Sequence, residues 1–93
     1  MEDQQHVLTL YIAGKTDKGE RAIENINKYC KEYLQDGYSL EVVDLKDRPE
    51  LAASHQIIAI PTLIKNLPGP IRILVGDLSD KEKVLVGLNI KKA

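Results

Sequence analysis

The stretch Ile60–Leu63, IPTL, sets a proline and a threonine late in a long apolar segment, IIAIPTLI, which spans residues 57–64. Proline has no backbone N–H to donate to a sheet, so within β structure it belongs at the start of a strand or on an edge. We therefore expect Pro61 to interrupt or begin a strand. The elements on either side decide which fold that strand belongs to.

The first half of the chain predicts a strand, a helix and a second strand. Val7–Ile12, VLTLYI, and Leu40–Leu45, LEVVDL, are short apolar runs rich in strand-forming residues. Between them, Asp17 followed three residues later by Glu20 suits a helix N-cap, and Gly37 suits a helix end. Apolar residues at helical spacing mark the buried face of this helix: Ala22, Ile23, Ile26, Tyr29, Cys30, Tyr33 and Leu34. Strands joined by such a helix are parallel, with a right-handed crossover.

The next segments extend this βαβ unit. Asp47 and Pro49 are typical of the beginning of a short helix, and Leu67–Pro70, LPGP, is typical of a turn. Ile71–Val75, IRILV, predicts a further strand. With the strand at IPTL, the order becomes β-α-β-α-β-β, which is an α/β fold of the thioredoxin-like class. We expect a single domain over residues 1–93.

The last third of the chain leaves two structures open. Ser79–Glu82, SDKE, is a capping box that predicts a helix from about residue 80. Three apolar residues continue it at helical spacing: Val84, Leu85 and Leu88. Four apolar residues also alternate as in a strand: Val84, Val86, Leu88 and Ile90. Gly87 lowers the stability of a helix by about 1 kcal/mol relative to alanine, so both a helix and a strand remain open.

The charge and composition exclude several classes of protein. The 93 residues carry 13 basic and 14 acidic side chains, and this balance argues against nonspecific nucleic-acid binding, which needs a basic excess. No apolar run approaches about 18 residues, so no membrane span is expected. One cysteine and a polar N-terminus, without the apolar stretch of a signal peptide, indicate a reducing compartment, and we expect the cytoplasm.

The sequence predicts no catalytic residue, metal site or cofactor. A thioredoxin-type enzyme needs a reactive thiolate at a helix N-terminus and a second cysteine, but those positions fall in Lys15–Lys18, KTDK. Cys30 lies well inside the helix on its apolar face and is interpreted as a core residue. His6 and His55 have no further ligand at a spacing that suits a metal ion. The chain is therefore predicted not to be an enzyme.

Five blocks of the sequence resemble KaiB, the bacterial circadian clock protein family. They are LYIAGKT (10–16), RAIENI (21–26), VVDL (42–45), PTLIKNLPGPIR (61–72) and GDLSDKEKVLVGL (76–88). The resemblance runs almost without gaps from about residue 7 to 90, and its last block is the most specific. The chain is accordingly identified as a KaiB-like domain that diverges from the cyanobacterial members.

The resemblance implies a regulatory binding protein. Members of the family bind KaiC, a hexameric ATPase and autokinase, and modulate its phosphorylation state, in a circadian clock or in a timer or stress-adaptation system. The implied partners are a KaiC-like ATPase, a KaiC-linked histidine kinase, and further copies of the chain in a homodimer or homotetramer. Two alternatives remain open: a thioredoxin-like oxidoreductase that lacks the CxxC motif, and a sensory or interaction domain of a KaiC-binding histidine kinase.

The resemblance also implies two folds for one sequence. The C-terminal half is expected to interconvert between a KaiB ground-state fold and the thioredoxin-like βαβαββα fold that binds KaiC. Candidate residues for this fold switch are Pro61, Pro70, Gly87 and Asn89, and Asn89 stands where the family usually carries aspartate. Pro61 is expected to be cis in the thioredoxin-like fold, and slow X-Pro isomerisation would slow the interconversion. Replacing Gly87 by alanine is expected to favour the helical, thioredoxin-like fold.

Basic residues are expected to carry the binding of the partner. The resemblance assigns Arg21, Lys65 and Arg72 to the surface of the thioredoxin-like fold that contacts KaiC. Charge complementarity of this kind controls the association rate and the specificity more than the affinity. The alternative is that each of the three is an ordinary solvated surface charge.

Overall fold

The computed structural model describes residues 5–54, 57 and 59–90, and its elements follow the order that the sequence predicts. The strands and helices are β1 (His6–Ile12), α1 (Asp17–Tyr33), β2 (Tyr38–Asp44), α2 (Glu50–Ser54), β3 (Thr62–Leu67), β4 (Arg72–Val75) and α3 (Lys81–Gly87). The predicted α/β fold of the thioredoxin-like class is thereby confirmed. The interpretation of His55 falls outside the described residues.

The cap of α1 lies one residue before the predicted position. Thr16 has an extended backbone and is the N-cap, and its hydroxyl oxygen accepts a hydrogen bond from the Gly19 N–H at 3.0 Å. Asp17 is instead the first helical residue, where its negative charge favours the helix N-terminus. The predicted cap at Asp17 was wrong by one residue, because the Thr16 hydroxyl already satisfies a free N–H of the first turn.

Within the described residues, four strands form one mixed sheet in the order β2-β1-β3-β4. β1 and β2 are parallel, as the βαβ pattern predicts, and β3 is antiparallel to both β1 and β4. Pro61 is buried directly before β3 begins at Thr62, and the Ile60–Pro61 peptide bond is cis. Both expectations for Pro61, a strand start and a cis bond, are confirmed. The bonds that precede Pro68 and Pro70 are also cis.

The helices cover the two faces of the sheet unequally. α1 and α3 pack on one face, around a main core of Leu8, Leu10, Ala22, Ile26, Tyr29, Cys30, Leu63, Leu78, Val84, Leu85, Leu88 and Ile90. On the other face, α2 lies over a smaller cluster of Tyr11, Val43 and Leu45. Side chains of β1 alternate between the two faces, as the pleat requires. The described part of α2 has 5 residues, and apolar side chains of β4 on the same face of the sheet are exposed.

α3 forms as a helix in the segment for which the sequence left helix and strand open. Asp80 is its N-cap, and one carboxylate oxygen accepts a hydrogen bond from the Lys83 N–H at 3.2 Å. Val84 and Leu85 are both buried in the main core, whereas Val86 is exposed. A strand would have placed Val84 and Val86 on the same side. The burial of Val84 and Leu85 and the exposure of Val86 therefore agree with the helix that the sequence pattern allowed.

The C-terminal end of α3 depends on Asn89. Leu88 is the C-cap, and the next residue, Asn89, has a left-handed backbone with φ of 58°. The Asn89 N–H donates to the Val86 carbonyl at 3.0 Å, and the Ile90 N–H donates to the Leu85 carbonyl at 2.9 Å. These two bonds form a Schellman motif, a common helix ending that needs a left-handed residue at this position. Asn89 thus stabilises the helical form of this segment.

We expect Asn89→Val to lower the free energy of unfolding by about 1–2 kcal/mol, because a β-branched side chain is strained at positive φ. Asn89→Gly is expected to keep the stability or to raise it by about 0.5 kcal/mol, because glycine adopts this conformation freely. Urea unfolding followed by circular dichroism measures both variants. Lys83→Val is the control, since Lys83 is exposed within the same helix. Equal stability of the valine and glycine variants would contradict this role of Asn89.

Gly87, the last residue of α3, faces the side chain of Leu74 in β4. A Cβ atom at Gly87 would lie 2.5 Å from Leu74 Cδ2 and 3.3 Å from Leu74 Cδ1. Gly87→Ala gains at most about 1 kcal/mol of helix propensity. Moving Leu74 off its preferred rotamer costs about 0.5–1.5 kcal/mol. That alanine favours this fold stays a prediction, and its sign depends on how easily Leu74 moves.

Candidate partner-binding surface

The structure brings together two of the three basic residues that were predicted to bind a partner. Lys65 in β3 and Arg72 in β4 are cross-strand partners in the antiparallel register. Arg21 lies in the first half of α1, where its Nε donates to a carboxylate oxygen of Asp77 at 3.2 Å. Asp77 follows the far end of β4 from Arg72. The three cations therefore do not form one cluster, and their role in binding stays a prediction.

Lys65 differs from the exposed charge that the sequence suggested. Its side chain is only 1% exposed, because strand alternation places it with Leu63 on the face that α1 and α3 cover. Burial lowers the pKa of Lys65 below its ordinary value, and the nearby Arg72 guanidinium lowers the pKa further. The sequence did not indicate this burial.

The cross-strand pair of Lys65 and Arg72 has no anionic partner among the described residues. The ion pairs in this part of the chain join other side chains: Lys15 with Glu20, Arg21 with Asp77, and Lys81 with Glu32. Like charges directly opposite each other in a sheet repel. Within the part of the chain that the structure describes, these two adjacent cations at one end of the β3–β4 hairpin therefore have no compensating carboxylate.

A set of α1 side chains, which we call the α1 ladder, holds the loop after β4. Its members are Arg21, Asn25 and Tyr29, spaced four residues apart along one stripe of the helix. The Asn25 amide donates to the Asp77 carbonyl at 2.9 Å, and the Tyr29 hydroxyl donates to the Leu78 carbonyl at 2.9 Å. With the Arg21 contact, the α1 ladder fixes the loop that leads into α3.

The loop held by the α1 ladder has an unusual backbone. Leu78 has a φ of 63°, in the left-handed region that a leucine rarely adopts, while its side chain is buried in the main core. Hydrogen bonds from the Ser79 side chain and backbone, and then from Arg21, hold the pKa of Asp77 below its usual value. Asp77 is therefore ionised at neutral pH, and half-exposed Arg21 is already paired within the fold.

Apolar side chains stay exposed along β4. Ile71, directly before β4, and Ile73 and Val75 within it are 64%, 60% and 61% exposed, and we call these three residues the β4 apolar row. They alternate with Arg72 and Leu74, so they lie together on the face of the sheet that α2 covers only in part. An exposed contiguous apolar patch is typical of an interaction site. The sequence predicted a strand at Ile71–Val75, but it did not indicate which face of that strand is left uncovered.

No reactive thiol lies at the position that a thioredoxin-type enzyme uses. Lys15–Lys18 contains no cysteine, and Cys30 is fully buried in the main core. Burial raises the pKa of the Cys30 thiol to about 12, so the thiol is protonated at neutral pH and is a poor nucleophile. Among the described residues, no group of three or more His, Cys, Asp or Glu side chains could hold a metal ion.

The same described ranges contain no helix that is both long and apolar enough to cross a membrane. α1, which has 17 residues, carries charged side chains along its exposed face.

Comparison with known sequences gives consistent results over most of the chain. Residues 9–90 match the KaiB domain family. The chain is 46% identical over 85 residues to the circadian clock oscillator protein KaiB of a Cyanothece strain, and the alignment covers 91% of this chain and 81% of that protein. It is 43% identical over 90 residues to the circadian clock protein KaiB3 of a Synechocystis strain, covering 97% and 88% of the two chains.

Comparison with solved structures supports the fold. The N-terminal domain of SasA from Synechococcus elongatus superposes with a TM-score of 0.75 at 21% identity, covering 100% of this chain and 91% of that one. Mitochondrial thioredoxin 3 from Saccharomyces cerevisiae superposes with a TM-score of 0.72 at 14% identity, covering 94% and 79%. At these identities the likeness concerns the fold alone.

Proposed function

The chain belongs to the KaiB family, and from this premise we propose that it is a non-enzymatic regulatory protein that binds a KaiC-type ATPase. Bound there, it modulates the phosphorylation state of that partner, within a circadian clock or a timer or stress-adaptation system. The observation that carries the proposal is the 46% identity to a circadian clock oscillator protein across 91% of the chain. We place this activity in the cytoplasm.

The chemistry of the chain supports a binding role rather than catalysis. The likeness to thioredoxins extends to the fold, but the thioredoxin-type positions Lys15–Lys18 hold no thiol, and Cys30 is buried with a raised pKa. The exposed features are instead a row of apolar side chains and the nearby Arg72, which lies opposite the buried Lys65. These are the features of a surface that recognises another protein.

In this proposal, the three basic residues act in different ways. Arg72 is exposed and meets an acidic side chain of the partner directly. Lys65 is buried and contributes through the field of its charge. Arg21 is half exposed, and contact with a partner competes with its bond to Asp77. The mutual repulsion of Lys65 and Arg72 is relieved when an anion binds.

We also propose that the second half of the chain has an alternative packing, in which copies of the chain associate as a homodimer or homotetramer. The strand-like alternation from Val84 to Ile90 supports this proposal, since two packings coexist only when they differ by a few kcal/mol. In the fold described here, Asn89 forms the C-terminal end of the α3 helix, and Gly87 packs against Leu74. Pro61 precedes β3 and Pro70 follows it.

The proposal predicts a complex with the KaiC-type ATPase of the same organism. Gel filtration and pulldown with ATP over several hours are expected to show this chain bound to the hexamer. Arg72→Glu is expected to weaken binding at least about tenfold, because it reverses the charge that meets the partner. Arg48→Glu is the matched control, since Arg48 is exposed before α2, away from the cation pair. Absence of a complex with the wild-type chain, with the phosphorylation state of the ATPase verified, would refute the proposal.

A further inference from the structure

We propose that the free edge of β4 accepts an extended partner strand in which acidic and apolar residues alternate. The added strand continues the sheet beyond β4. Its apolar side chains pack on the β4 apolar row, and its acidic side chains meet Arg72 on the opposite face. The inference deepens the proposed function, and rests on it, by naming the chemistry of the segment that this surface binds.

The hydrogen bonds between β3 and β4 show which backbone groups of β4 point away from β3. The Gly76 N–H donates to the Pro61 carbonyl at 2.9 Å, in the register that continues as Thr62 with Val75 and Leu63 with Leu74. Bonded and non-bonded pairs alternate along an antiparallel ladder. The pair of Leu63 and Leu74 is therefore a bonded one, as is Lys65 with Arg72, while Val75 belongs to a non-bonded pair.

The outward backbone groups belong to the residues that expose apolar side chains. Ile73 and Val75 belong to non-bonded pairs with β3, so their N–H and C=O groups point away from the sheet. Their side chains are 60% and 61% exposed. One partner strand can therefore satisfy these backbone groups and cover these side chains together, which is the arrangement of strand addition.

The two edges of the sheet expose different side chains. Proteins guard edge strands with charged or polar residues, which oppose pairing with other chains. β2 exposes Ser39 and Glu41 along its length. β4 carries one charged residue, Arg72, which projects to the face opposite the β4 apolar row. β4 is therefore the edge that lies beside the exposed apolar side chains.

The charges define the polar face of the partner strand. Arg72 is exposed next to buried Lys65, and no described carboxylate forms an ion pair with either. An acidic side chain on a strand paired with β4 lies within reach of Arg72 and reduces the repulsion between the two cations. A basic or neutral residue at that position of the partner strand does not reduce this repulsion. Alternation then places the intervening apolar residues of the partner on the side of Ile71, Ile73 and Val75.

The test uses a synthetic peptide as the probe, with the alternating sequence Thr-Val-Glu-Val-Glu-Val-Thr between serine pairs. Titrated into the full-length protein, it is expected to shift the amide signals of Ile73 and Val75 and to slow their hydrogen exchange. The inward amides of Arg72 and Leu74 are expected to stay protected throughout. A matched peptide with lysine in place of glutamate is expected to bind at least tenfold more weakly.

A charge reversal makes the test specific to this edge. In Arg72→Glu, the preference for the glutamate peptide is expected to disappear, because the new carboxylate pairs with Lys65 and leaves no net positive charge at this edge. The variant is expected to fold, because glutamate opposite Lys65 forms a favourable cross-strand pair. The proposal is overturned if the glutamate peptide leaves Ile73 and Val75 unchanged, or if Arg72→Glu keeps the original preference.

Pulldown of the KaiC-type ATPase, run in parallel, separates the two proposals. Peptide binding at β4 without an ATPase complex supports the strand-binding edge and refutes the proposed function. An ATPase complex in the absence of peptide binding at β4 supports the proposed function and refutes the edge.

Discussion

Removing the α1 ladder is expected to lower the free energy of unfolding by about 2–3 kcal/mol in the triple variant Arg21→Ala, Asn25→Ala and Tyr29→Phe. Tyr29→Phe alone accounts for about 1–1.5 kcal/mol, because the buried Leu78 carbonyl loses its donor. Asn25→Ala removes a second hydrogen bond to the loop, and we expect it to lower the free energy of unfolding by a similar amount. Arg21→Ala contributes less, since the ion pair with Asp77 is half exposed.

The physical reason is that the loop at Leu78 does not hold its shape unaided. A leucine at positive φ is strained, and the hydrogen bonds from α1 together with burial of the side chain offset that strain. The loop leads directly into α3, so releasing it also loosens the packing of α3 on the sheet. Amide exchange is therefore expected to rise first in residues 77–90 of the variants, ahead of β1 and β2.

Urea unfolding and site-resolved amide exchange measure these effects, and two matched variants control for side-chain loss. Asn27→Ala removes an amide of the same helix that bonds only within α1, to the Ile23 carbonyl. Tyr38→Phe removes the hydroxyl of a tyrosine that lies outside the α1 ladder. If Asn25→Ala and Tyr29→Phe destabilise no more than these controls, the α1 ladder does not hold the loop.

Lys65→Met is expected to raise the free energy of unfolding by about 1–2 kcal/mol at neutral pH while weakening partner binding. Methionine fills a similar volume, and it removes a buried ammonium group that lies opposite Arg72 and has no carboxylate partner among the described residues. Lys83→Met, at an exposed position, is the control and is expected to change the stability little. A large loss of stability in Lys65→Met would mean that the charge is compensated within the fold.

The pH dependence of stability provides an independent check on Lys65. Its pKa in the fold is lowered below the ordinary 10.5, so the unfolded chain binds more protons in the interval between the two values. The contribution of Lys65 to the free energy of unfolding therefore rises as the pH increases through that interval towards 10.5. The wild-type chain should show this rise and Lys65→Met should lack it, when urea unfolding is compared from pH 7 to pH 10.5.

Some elements followed directly from local patterns in the sequence. The βαβ unit was predictable because the two apolar runs, the helical stripe and the caps each determine structure over a few residues. The strand start at Pro61 followed from the missing N–H of proline. The N-cap of α1 was misplaced by one residue, because Thr16 and Asp17 are both good capping residues and only the geometry chooses between them.

Other features depend on how the elements pack, and the local sequence does not contain that information. Val84 and Leu88 fit both a helix and a strand, and the helix is selected by burial against α1 and the sheet. Side chains in β3 point alternately to the two faces of the sheet, but the burial of Lys65 depends on how far α1 and α3 extend over its face. The exposure of Ile73 and Val75 depends on how much of this face of the sheet other elements cover.

The burial of Cys30 has a practical consequence. The chain has one cysteine, and its thiol is enclosed by the main core and protonated at neutral pH. A maleimide reagent would therefore react selectively with a cysteine introduced at an exposed position such as Val86, which is 76% exposed on α3. A fluorophore or spin label attached there would report the position of α3 in the native chain without first removing Cys30 from the core.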